Sequence, residues 1–178
     1  MSPDFPINDC HCHFFSHQFF RELAREKDLE ASRDPVGEIT QQLGWETPGA
    51  PLDLAERWVQ ELDLNQVNRA ALIASIPGDE ESVAAAVARY PERLVGFFMV
   101  NPCQEGTQER IQQAVSELAL RCICLFPAMH QFHLYEDRAL DVFEIAASLD
   151  DAVVFVHCGV LSVGVRKKLD LPSRFAMR

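Results

Sequence analysis

Two hydrophobic periods alternate along the chain. Largely apolar, β-rich runs occupy residues 69–75, 94–100, 121–126 and 152–157, and residues 5–13 read as a more polar strand before them. Between them lie stretches with helical spacing. In 17–27, Phe20, Leu23 and Ala24 fall at i, i+3, i+4. In 107–120, Ile111, Ala114, Val115 and Leu118 share one face. Asp34-Pro35 supplies an N-cap followed by proline in the first turn, which predicts a helix over 35–43. The Gly- and Pro-rich stretch 44–51 predicts a loop, and Asp53 the entry to a helix over 54–64. Further helices are predicted over 79–90, after Pro77-Gly78, and over 140–149, starting near Glu136. From Gly159 onward the pattern predicts only loop and a turn of helix.

Strands apolar throughout and separated by helices imply a parallel sheet buried on both faces. An open doubly wound sheet and part of a (β/α)8 barrel both fit. No G-x-G-x-x-G follows the first strand and no Walker A motif is present, which removes support from the nucleotide-binding folds.

Composition narrows the class. The chain has 178 residues, 48% of them hydrophobic, and a formal net charge of −11. This is an ordinary globular composition, and one domain over 1–178 is expected. The acidic balance argues against nucleic acid or an anionic membrane as a partner. No basic segment followed by an apolar core opens the chain, and the longest apolar stretch, 152–165, is about 14 residues, short of a bilayer span. A cytoplasmic location is expected. The six cysteines, at 10, 12, 103, 122, 124 and 158, are expected to be reduced and mostly buried, and no C-x-x-C pair is present.

The chemistry concentrates at strand ends. Residues 9–13 read Asp-Cys-His-Cys-His. Alternation puts Asp9, His11 and His13 on one face and Cys10 and Cys12 on the other. One strand cannot close a Cys2His2 site, but a His-x-His pair can present two imidazoles to one divalent ion. A pair of half-exposed strand-end histidines is the plain alternative. The fifth run also ends in a histidine, His157, and three histidines at strand ends favour a joint metal site. Asp9 is expected to support a ligand histidine from behind. His130 and His133 follow the fourth strand, either as substrate contacts or as solvated loop side chains. Cys124 is expected to be a packed core thiol.

Asp9-Cys10-His11-Cys12-His13 resembles the D-x-H-x-H opening of the amidohydrolase-related (amidohydrolase 2) group of metal-dependent TIM-barrel enzymes. Residues 93–102, 122–128, 133–137 and 154–159 resemble its later strands and loops, in order and spacing. The group is similar in fold to urease and dihydroorotase. It includes lactone hydrolases and non-oxidative decarboxylases such as aminocarboxymuconate semialdehyde decarboxylase. The resemblance implies that His11, His13 and His157 are metal ligands for one divalent ion, zinc first, manganese or iron as alternatives. It implies a metal-dependent hydrolase in which activated water attacks a C–O or C–N bond of a small carboxylated or cyclic substrate. A decarboxylase is the alternative, and an inactive α/β fragment or interaction module a further one.

Two departures qualify this. Cys124 stands where the group usually has Lys, and Phe126 where it often has His or Tyr, so a mononuclear site is implied. The sequence also holds about five of eight βα units, which implies a partial barrel, truncated at its C-terminus. The group's general-base Asp is then expected beyond Arg178. A homodimer or a missing C-terminal half is the expected partner, because five strands cannot close a barrel.

Overall fold

The computed structural model describes residues 5–158. In chain order these form β1 (Ile7–Phe14), α1 (His17–Glu26), α2 (Pro35–Leu43), α3 (Pro51–Leu64), β2 (Val67–Ala74), α4 (Glu80–Arg89), β3 (Leu94–Val100), α5 (Thr107–Ser116), β4 (Cys122–Leu125), α6 (Pro127–His130), α7 (Asp137–Ser148) and β5 (Val153–Val156). They divide into two compact units, one ending at Phe98 and one beginning at Met99. Residues from Gly159 on, where loop and a turn of helix are expected, lie outside the described residues.

In the first unit β1 pairs with β2 and β2 with β3, both parallel. In the second, β4 pairs parallel with β5. Neighbours thus follow chain order, with helix between them. A doubly wound sheet requires a reversal of strand order, and neither unit contains one. The pattern is that of a (β/α)8 barrel.

Phe14, Leu72, Ile73, Leu94 and Phe98 are fully buried in the first unit. Each such side chain contributes about 1.5–3 kcal/mol of transfer free energy. Phe20 and Ala24 of α1 pack on Val36 and Ile39 of α2, with Phe15, Phe19, Leu23 and Leu29 laid over them. This is the apolar stripe that the spacing predicts. In the second unit Ile111, Leu120, Ile123, Leu125, Phe126 and Phe132 are buried.

Four expectations are corrected. Helix α3 begins at Pro51 instead of 54: proline occupies the first turn, and the Asp53 carboxylate reaches back to accept the Ala50 N–H at 3.2 Å. Helix α5 stops at Ser116 instead of 120, because Ala119 takes a left-handed φ of 54° and the Leu120 N–H turns back to Ala114 O at 3.0 Å. Residues 127–130 form a short helix where a loop is expected, with Pro127 in its first turn. All six cysteines are free, but only Cys12, Cys122 and Cys124 are buried, while Cys10, Cys103 and Cys158 are exposed. Among the described residues no helix is long and apolar enough to cross a membrane.

Candidate functional site

The end of β1 carries the histidine pair. Burial alternates there: Cys12, Phe14 and Ser16 point inward, while His11, His13 and Phe15 are half-buried on the other face. Upstream the alternation breaks. Asp9 opposes Ala70 but Cys12 opposes Leu72, so β1 holds one extra residue against β2. Such a bulge shifts the phase of the residues just before it. Asp9 therefore falls in phase with Cys12, which corrects the expectation that it shares the histidine face. Its Oδ1 accepts the backbone N–H of His11 at 3.0 Å. Burial, a hydrogen bond to Asp9 and its negative charge push the Cys12 thiol up to about 12, so that thiol stays protonated.

Past the bulge the two imidazoles converge. His11 Nε2 and His13 Nε2 lie 3.3 Å apart, with the ring planes at 69°. Two nitrogens bound at about 2.0–2.1 Å to a tetrahedral zinc are separated by about 3.3 Å. The pair therefore has the bite that one cation needs. In the metal-free chain the same separation accommodates one N–H between the two rings.

Contacts on three sides fix His13. Its ring stacks on Phe15 at 5.5 Å and 7°, and Phe15 in turn meets Phe19 at 4.5 Å and Trp45 at 5.6 Å. Trp45, on the loop after α2, is 52% exposed, so an aromatic wall beside the donors is open to solvent. On the Nδ1 side, Ser75 Oγ approaches at 3.0 Å. Ser75 follows the last residue of β2 and opens the loop to α4. That loop is tied back onto β1 and α1: the Gln18 amide donates to Gly78 O at 3.1 Å, and Ser16 Oγ donates to Asp79 Oδ2 at 2.5 Å. Ser82 Oγ donates to the other Asp79 oxygen at 2.5 Å. Burial raises the Asp79 pKa against the pull of these two hydroxyls and of Arg21.

The second unit places the remaining candidates. His157 follows β5, its N–H bonded to Leu125 O at 2.8 Å and its ring stacked on Phe126 at 4.8 Å and 20°. His130 ends α6. His133 stacks on Tyr135 at 5.0 Å, and its N–H donates to Glu136 Oε1 at 2.9 Å. Both rings are half-buried with their Nδ1 atoms removed from solvent, unlike freely solvated loop side chains. Cys124 is fully buried, as a core thiol should be. Among the described residues no group of three or more His, Cys, Asp or Glu is arranged to hold a metal ion.

Sequence reasoning missed Ser75 and Trp45 as neighbours of the pair. A polar residue closing the apolar run of β2 was the available signal for Ser75, since parallel α/β sites form at the carboxyl ends of strands. Trp45 carried no signal, because only the packing of its loop brings it to Phe15.

Comparison with known proteins bears on this geometry. The family model described as amidohydrolase matches residues 8–176. No curated protein sequence matches the chain. A probable 2-pyrone-4,6-dicarboxylic acid hydrolase from Acinetobacter baumannii, solved with citric acid bound, is similar in structure: TM-score 0.53, 18% identity, over 84% of this chain and 49% of that one. An uncharacterised TIM-barrel protein from Bordetella bronchiseptica is similar with TM-score 0.57 and 15% identity, over 87% of this chain and 56% of that one. The chain thus spans about half the length of each. These two likenesses concern the fold, and they agree with the sequential parallel winding of both units. The family match covers nearly the whole chain, His-x-His strand included, and the chain belongs to the amidohydrolase family.

Proposed function

We propose that this chain is part of a metal-dependent hydrolase in which His11 and His13 hold one divalent cation. The 3.3 Å approach of their Nε2 atoms carries the reading. Two imidazole donors suit zinc best, and manganese or iron accept the same ligands. When bound, such an ion supplies Lewis acidity to a substrate carbonyl and acidifies water.

The chain's own residues supply positioning. Phe15 stacks on the His13 ring and holds its plane. Phe15 and Trp45 offer an apolar surface against which a small ring can pack. In this reading Asp9 holds the backbone at His11. A ligand role for His157 is what the resemblance implies, and substrate contact by His130 and His133 is suggested by their place after β4. The name of the Acinetobacter relative supports a small, cyclic, carboxylated ester as the substrate class, with C–O cleavage.

The test is turnover by the zinc-reconstituted chain on a panel of carboxylated lactones. Acid release that stops with a chelator, and is absent in His13→Ala, supports the proposal. Carbon dioxide release instead would move the assignment to a decarboxylase. Hydrolysis that survives complete chelation rules out metal dependence, and no product from any lactone removes the hydrolase activity from this chain.

A further inference from the structure

We infer that Ser75 is a positioning residue that fixes the tautomer of His13 and so directs its Nε2 lone pair toward His11. The assignment follows from counting one proton. A serine hydroxyl has a single hydrogen to donate. Ser75 Oγ lies 3.1 Å from Ile73 O, a carbonyl that can only accept. It also lies 3.0 Å from His13 Nδ1. With its hydrogen directed to Ile73, Oγ receives the His13 contact as an acceptor, so Nδ1 carries the N–H. A neutral imidazole has one N–H, and Nε2 is left as the basic nitrogen. That is the nitrogen placed 3.3 Å from His11 Nε2.

The surroundings keep Ser75 in this role. It is only 5% exposed, so little water competes for its hydroxyl. The β2 ladder with β1 holds the chain before it, through Ala74 opposite Phe14. The buried Asp79 carboxylate, bound to Ser16 and Ser82, anchors the loop after it. Phe15 stacks on the His13 ring, so rotation about the ring axis is restricted while Ser75 holds its edge. Outer contacts of this kind orient a metal-binding histidine and commonly change metal affinity about 10–100-fold when removed. The purpose of the arrangement rests on the metal reading above, but the tautomer itself does not.

The experiment is long-range proton–nitrogen NMR of the full chain, metal-free, at about pH 8.5 where imidazole is neutral. The His13 signals are assigned by their loss in His13→Ala. Wild type is expected to show a protonated Nδ1 and a lone-pair Nε2. Ser75→Ala should move population to the Nε2–H form, and Ser75→Thr, which keeps the hydroxyl, should restore the wild-type pattern. Zinc competition titrations should show an affinity loss of about 10–100-fold for Ser75→Ala and none for Ser75→Thr. A wild-type His13 protonated at Nε2, or a tautomer indifferent to Ser75→Ala, overturns the inference, and the wild-type spectrum decides without any variant. A Ser75-dependent tautomer in a chain that binds no zinc sinks the metal reading and leaves the Ser75 assignment standing. Zinc that is lost in His11→Ala, with a tautomer indifferent to Ser75→Ala, does the reverse.

Discussion

Asp79 anchors the loop that carries Ser75, and its removal tests whether buried polar contacts hold the candidate site together. The carboxylate is 1% exposed and accepts one hydroxyl on each oxygen, both at 2.5 Å. Hydrogen bonds to a charged acceptor contribute about 1.5–3 kcal/mol each. Burial of the charge, which raises the Asp79 pKa, takes back part of that sum. Asp79→Ala should therefore destabilise the chain by about 2–4 kcal/mol. Asp79→Asn keeps one carbonyl acceptor and should cost about 1 kcal/mol. The pH dependence separates the two terms. Because the folded pKa lies above the ordinary 3.8, the folded state holds the proton longer than the unfolded chain does. Stability from this group is then greatest below 3.8 and declines as pH rises through the folded value. That decline should be missing in Asp79→Asn. Urea unfolding followed by the fluorescence of Trp45 and Trp58, between pH 3 and pH 7, reads both effects. An Asp79→Ala chain within about 0.5 kcal/mol of wild type at pH 7 would refute the anchoring role.

Three more outcomes follow from the packing. Native thiol titration at neutral pH should find Cys10, Cys103 and Cys158 reactive and Cys12, Cys122 and Cys124 protected until denaturant is added; rapid labelling of Cys12, whose thiol is pushed up to about 12, would contradict its burial. Gly44 caps α2 with a φ of 69°, so Gly44→Ala should cost about 1 kcal/mol in thermal or urea unfolding although no atom lies within 4 Å of the added methyl. The Glu136 carboxyl is held below its ordinary range by the His133 N–H, then by Arg138. Its contribution is present above the ordinary value of 4.5 and lost as pH falls, so Glu136→Gln should flatten acid unfolding there, and an unchanged acid limb would count against it.

The sequence made the order of elements legible because the later β runs are largely apolar and the long helices carry their own stripes. α2 is the clearest case: Asp34 accepts the Gly37 N–H, Pro35 starts the helix and Gly44 ends it in the left-handed region. Boundaries failed where a long-range or local capping bond decided them, as at Asp53 and Ala119. The histidine pair was legible from H-x-H spacing alone. The face of Asp9 was not, because a one-residue bulge against β2 is a property of strand pairing and leaves no mark on the alternation of β1. The Ser75 contact joins residues 62 positions apart and needs the β1–β2 register to be known first.

We propose that His11 and His13 form a cation-binding pair, and the metal content of the chain tests this pairing. The purified chain is equilibrated with a small excess of zinc, dialysed and analysed for metal beside His11→Ala and His13→Ala, with folding checked by circular dichroism. About one equivalent is expected in the wild type, with loss of it in both variants. A folded wild-type chain that retains no metal, or variants that retain as much as wild type, would contradict it.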